Sequence, residues 1–358
     1  MRLRGVGAAA SLFFLAPLVA EYLLGDLPLS NMGAMVALAP MYGGGAILIR
    51  QAVRHSGRGW PTFILLALAY AVMEEAFVTQ TLFDPHYLGL SLLAYGYIPA
   101  LGTAFPWLIY VLSIHVIWSI AVPIGLTEAL FYDAEQTPWL GKVGLAVIGL
   151  LLAFGSIVAG LFQRHSDPFR ATPGEMICSA VAILLLLLAA FRFPGPAPLR
   201  RARAAPVALV GGGTFLLGSG LLLIYGRGSS AEWPWPTTVL AELITDGLLI
   251  GLFWWATRMR AWHALAAWGT ATGGMLVYAW YGYTIEHAFK HDYDILPHSM
   301  LVAFFILLSL GAGLNVAKRS RPTAWRSAVD SPALILMSGG GPRRPNAARA
   351  LCKERLHD

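Results

Sequence analysis

Apolar residues run through this chain in long blocks, interrupted at intervals by short polar stretches. About ten blocks of roughly 17–23 residues appear, the length a helix needs to cross the hydrocarbon core of a bilayer. Their approximate limits are 6–24, 33–49, 61–83, 105–127, 143–162, 174–191, 206–225, 237–257, 262–284 and 296–316. The pattern predicts an all-α, polytopic transmembrane bundle. Two stretches depart from it. Residues 87–104 are semi-apolar and broken by Gly89, Gly96, Pro99 and Gly102, so a re-entrant or interfacial segment is expected there. From Lys318 onward Pro, Gly and Arg replace apolar periodicity, which predicts a transmembrane domain over 1–317 and a disordered basic tail over 318–358. The proline-rich basic loop 192–203 suggests two halves, 1–191 and 206–317.

Composition agrees with this pattern. Only 12% of residues are charged, about half the share of an ordinary soluble domain, and mean hydropathy is +0.63. The lipid bilayer is the expected partner. The net charge of +6 does not imply nucleic acid, because the basic residues sit in short loops and a tail without aromatic interleaving. Arg50, Arg54, Arg58, Lys142, Arg192, Arg200, Arg258 and Arg260 gather at one set of helix ends, which places both termini in the cytoplasm. Arg2 and Arg4 before an apolar run imitate a signal peptide, but no small-x-small cleavage pattern follows, so an uncleaved first span is expected. Two cysteines, Cys178 and Cys352, offer no disulfide framework or zinc-type pair.

Charge inside an apolar span is costly and marks a candidate site. The third block, AYAVMEEAFVTQTLF, holds Glu74 and Glu75. The fourth carries His115 near its middle, at a depth close to theirs. In a regular helix adjacent residues diverge by about 100°, so the two carboxylates should not face one partner equally. Tyr70, Glu74 and Thr81 form one expected polar row, Glu75 and Thr79 another. The eighth block carries Glu242 and Asp246 on one face. The second block contains Pro40 and Gly43–Gly45, readable as close helix packing or as a broken helix lining a cavity. The polar stretch before the last block holds His287, His291 and His298. Two of these have i, i+4 spacing suited to zinc or another divalent ion, and the ordinary alternative is a solvated loop.

A Glu-Glu pair in one span with a His in the next resembles the membrane-embedded CAAX-protease and bacteriocin-processing family, whose motifs are Glu-Glu-x-x-x-Arg and Phe-x-x-x-His. Thr79 stands at the arginine position and Val111 at the phenylalanine position, and no later His-x-x-x-Asn occurs. The resemblance covers about a sixth of the chain, Ala69–Pro123. It implies peptide hydrolysis with Glu74, Glu75 and His115 as catalytic residues, with a metal ion among them. The stretches YGGGAILIR and EEAFVTQTLFDP also resemble a group of uncharacterised bacterial membrane proteins. Three functional classes stay open: a hydrolase, a secondary transporter using intramembrane carboxylates, and an assembly protein without chemistry. No phosphate loop, dinucleotide fingerprint or haem motif is present.

Overall fold

The computed structural model describes residues 2–132, 137–192, 205–259, 264–288 and 295–319. The chain divides into two units, Met1–Ala317 and Lys318–Asp358, and the second lies almost wholly outside the described residues. Ten long helices follow in order: α1 (Arg4–Leu23), α2 (Leu29–Ser56), α3 (Trp60–Val78), α4 (Phe105–Leu130), α5 (Lys142–Ser166), α6 (Pro173–Ala190), α7 (Val207–Ser230), α8 (Trp235–Arg258), α9 (Ala264–Ala288) and α10 (Ile295–Arg319). All except α9 are long and apolar enough to cross a membrane, which makes nine such helices among the described residues where ten spans were expected. Helix α9 has 25 residues, or about 37 Å of length, and so differs in composition and not in reach. It packs chiefly against α7 and α4 and buries Met275, Val277 and Tyr278. A helix enclosed by others needs no apolar coat all round.

Residues 87–104 do not cross. They form a short turn and a two-stranded antiparallel hairpin, β1 (Tyr97–Ile98) with β2 (Thr103–Ala104). Apolar side chains on the outside mark the lipid face. Leu150, Phe154, Ile157 and Leu161 on α5, and Ile177, Leu184, Leu185 and Leu188 on α6, are all exposed. The interior holds the aromatic and polar groups. Trp118 of α4 stacks on Tyr278 of α9 at 4.7 Å between ring centres, and its indole N–H donates to the Gly274 carbonyl at 2.7 Å.

Helices α1 and α2 meet backbone to backbone. A Cβ added at Gly43 would overlap the Phe13 carbonyl oxygen and Cα, so only glycine permits the approach. A Cβ at Gly45 would strike the Tyr70 ring. Close packing through small residues therefore holds for this helix, which runs on without a break through a π turn at Ala39–Gly43.

At the Arg50 end a charge cluster ties the helices together. Arg50 was counted above with the loop charges, yet it lies within α2 and is 1% exposed. Its Nε donates to Glu128 Oε1 at 2.8 Å, and Arg54 Nη2 donates to both oxygens of Glu128 at 2.7 Å. The Arg50 guanidinium lies 3.4 Å above the centre of the Trp139 ring. The Arg50 charge is buried because a carboxylate from α4, shared with the more exposed Arg54, pairs with it while an aromatic face covers it.

Candidate functional site

Besides one at Gly228–Glu232, the described helices carry four π turns, with i→i+5 bonding, whose side chains meet: Leu18–Leu23 in α1, Ala39–Gly43 in α2, Glu74–Val78 in α3 and His115–Ala121 in α4. Such turns insert one extra residue and are frequent at functional sites. Here each supplies a polar side chain to one centre: Glu21, Tyr42, Glu74 with Glu75, and His115.

Glu74, Glu75 and His115 are all buried, and their nearest ligand atoms lie within 4.8 Å of one another. His115 Nε2 is 3.2 Å from Glu74 Oε2 and 3.2 Å from Glu75 Oε1. Both carboxylates thus face the imidazole equally, against the expectation from a regular helix. The π turn is the reason. The Thr79 N–H reaches back to the Glu74 carbonyl at 3.0 Å, and the wider turn brings consecutive side chains toward the same interior. The expected Glu75–Thr79 row holds, and the Tyr70–Glu74–Thr81 row loses Thr81. Thr79 and Thr81 both donate to Glu75 Oε2, the first at 3.2 Å. Thr81 leaves the Glu74 row because α3 ends at Val78 and Gln80 turns into the left-handed region at φ 61°.

The other nitrogen of His115 fixes the chemistry. Nδ1 lies 2.8 Å from the Val111 carbonyl, which can only accept, so Nδ1 carries a proton. In the neutral ring Nε2 is then a lone pair aimed at two carboxylate oxygens. In that state three electron-rich atoms converge, and a proton or a metal ion at Nε2 turns their repulsion into attraction.

Beyond this trio lie two residues that sequence reasoning missed. The Tyr42 hydroxyl sits between Glu21 Oε1, at 2.5 Å, and Glu74 Oε1. A phenol has one proton, so one of the two carboxyls must supply the second hydrogen bond as an acid. The Tyr42 ring also stacks on His115, with 6.2 Å between centres. The signal for Glu21 was a lone carboxylate within the first apolar block. Tyr42 carried none, because a tyrosine in a glycine-rich helix looks like packing. Above the centre, Asp26 is half-buried in the α1–α2 connection. Desolvation and then the nearby Glu21 carboxyl raise it well above the usual carboxylate range. Burial likewise pushes the Tyr87 hydroxyl up, with Glu75 and Glu21 adding to the effect.

The remaining sequence candidates lie elsewhere. Glu242 and Asp246 sit on α8, against α4 and α7. His298 is buried in α10 with its ring edge-on to Tyr283 at 4.6 Å. His291 and the side chain of His287 lie outside the described residues.

Helices with apolar outer faces around a buried Glu–His centre define a polytopic α-helical membrane protein. The particular family follows from comparison with known proteins. A model described as an uncharacterized membrane protein family matches residues 11–324, and the chain belongs to that family. No curated protein and no solved structure matches the chain. No similarity to the CAAX-protease family emerges from these comparisons.

Proposed function

We propose that the chain is a metal-dependent hydrolase of the membrane interior, in which Glu74, Glu75 and His115 hold a divalent ion of the zinc class. The observation that carries this reading is the position of His115 Nε2, 3.2 Å from each of two carboxylate oxygens while Nδ1 is committed to a backbone carbonyl. Ligands bound at the usual zinc distances in a tetrahedron stand about 3.3 Å apart, close to this spacing. An imidazole whose other nitrogen donates to a carbonyl is the common arrangement at metal centres. Three protein ligands leave a fourth position for water, and a bound ion would make that water a nucleophile near neutral pH. Glu74 would serve the ion through Oε2 while its Oε1 accepts from Tyr42, which leaves Glu21 as the acid of that pair.

Metal content of the purified full-length chain tests the reading. Wild type should carry about one zinc-class ion per chain and His115→Ala far less, with the elution profile unchanged. Equal metal content in the two would refute it. Glu75→Gln should abolish hydrolysis of membrane-associated peptides without regard to any ion gradient. A secondary transporter is the second reading, favoured by the buried acids of α8. It requires gradient-dependent uptake into liposomes in place of hydrolysis.

A further inference from the structure

The second polar cluster of the membrane interior has a different composition from the first. Along α8 the residues Thr238, Glu242, Thr245 and Leu249 are buried, whereas Leu240, Leu243, Ile244 and Leu248 are exposed. One face of this helix therefore meets lipid, and the polar stripe turns inward toward α4 and α7. The stripe is met by hydroxyls from other elements. Tyr95 hydroxyl and Thr238 Oγ1 lie 2.7 Å apart, and Ser113 Oγ of α4 donates to Asp246 Oδ2 at 2.8 Å.

Glu242 stands between these two contacts and has neither. It is 0% exposed, and neither of its carboxyl oxygens has a hydrogen-bond partner. Asp246, one turn on, is close enough to act on it electrostatically. Among the described residues no Lys, Arg or His forms an ion pair with either acid. Two neighbouring hydroxyl protons are already used: Ser113 donates to Asp246, and Thr245 donates to the Ala241 carbonyl at 2.8 Å. The Tyr225 hydroxyl of α7 is near enough to act on Glu242 electrostatically, yet neither Glu242 oxygen receives a hydrogen bond. A buried carboxylate in that state is strongly disfavoured unless a positive charge joins it. A proton on Glu242 would itself need an acceptor, and the carboxyl makes no such contact.

We infer that Glu242, Asp246 and Ser113 form a second, separate site that binds a hard metal cation. The ligand class follows from the donors, which are all oxygen. Such a set suits sodium, potassium, magnesium or calcium, whereas the imidazole of the Glu74 centre suits zinc-class ions.

Equilibrium binding of each of these four cations to the full-length protein in lipid nanodiscs tests the inference. One of them should bind, and Asp246→Asn together with Glu242→Gln should weaken it by roughly tenfold or more, since ligand charge sets affinity. Ser113→Ala keeps both acids and should give a smaller loss, which guards against a double variant that fails to fold. His115→Ala should leave the binding unchanged. Binding of none of the four would overturn the inference and leave Glu242 carrying its own proton. Binding that survives the double variant, or that His115→Ala removes, would overturn it by placing the cation elsewhere.

Discussion

Replacing Tyr42 by Phe removes one oxygen and leaves the ring, so its effect isolates the hydrogen-bonded bridge between Glu21 and Glu74. The ring contacts to His115 and Tyr70 persist. Two carboxyl oxygens lose their partner. A buried donor or acceptor left unsatisfied costs about 1–3 kcal/mol, with the Glu21 share at the low end because that residue is half-buried, so the expected loss of stability is roughly 2–4 kcal/mol. The bridge also orients Glu74, and loss of such outer support commonly weakens metal binding about 10–100-fold. Denaturant unfolding in detergent micelles reads the first quantity, and competition against a chelator of known affinity reads the second. Hydrogen counting adds a sharper test. If Glu21 is the acid of the pair, Glu21→Gln still donates to the Tyr42 oxygen and should be milder than Tyr42→Phe. Metal affinity within about twofold of wild type in Tyr42→Phe, with stability unchanged, would refute the bridge as a support for Glu74. Equal damage from Glu21→Gln and Tyr42→Phe would refute the assignment of the proton.

Three further outcomes are expected. Glu128→Gln leaves the buried Arg50 without its counter-charge and should cost about 3 kcal/mol in the same unfolding assay, the low end for a broken buried pair because Glu128 and Arg54 reach solvent. Asp84 lies beyond the end of α3, accepts from the His86 N–H at 2.9 Å, and is raised by burial above its ordinary value. Its contribution is therefore full at low pH and is lost as pH rises from the unfolded value through the higher native one. Asp84→Asn should flatten that segment of the stability–pH curve, and an unchanged curve would reject Asp84 as its source. The positive-inside reading predicts that a cysteine at Tyr87 is labelled by an impermeant thiol reagent in intact cells, while reporters fused after Arg58 report cytoplasm; the reverse result inverts the topology.

Much of this architecture was legible because lipid imposes simple requirements. Helix positions followed from apolar block length, and Glu74, Glu75 and His115 stood out because charge at depth is costly. The parts that were not legible share a cause. Glu21 lies near the end of its block, where a carboxylate is cheap, and only the π turn of α1 brings it to Tyr42. Arg50 looked like a loop charge because its partner Glu128 is 78 residues away in the chain. Equal facing of Glu74 and Glu75 was excluded by regular helix geometry, and irregular hydrogen bonding made it real. Hydrophobic periodicity assumes a constant turn, so it fails where the turn changes.

The four π turns give the centre an unusual dependence on chain length. Each holds one residue more than an α-helix would use over the same rise. Removing Ala76, Phe77 or Val78 would let α3 close into regular helix and would rotate everything beyond it by about 100°. Thr79 and Thr81 would part from Glu75, although neither Glu75 nor His115 had been altered. The centre is thus encoded in the number of residues as well as in their identity. A deletion in one of these turns would leave every group of the site in the sequence and scatter their aim.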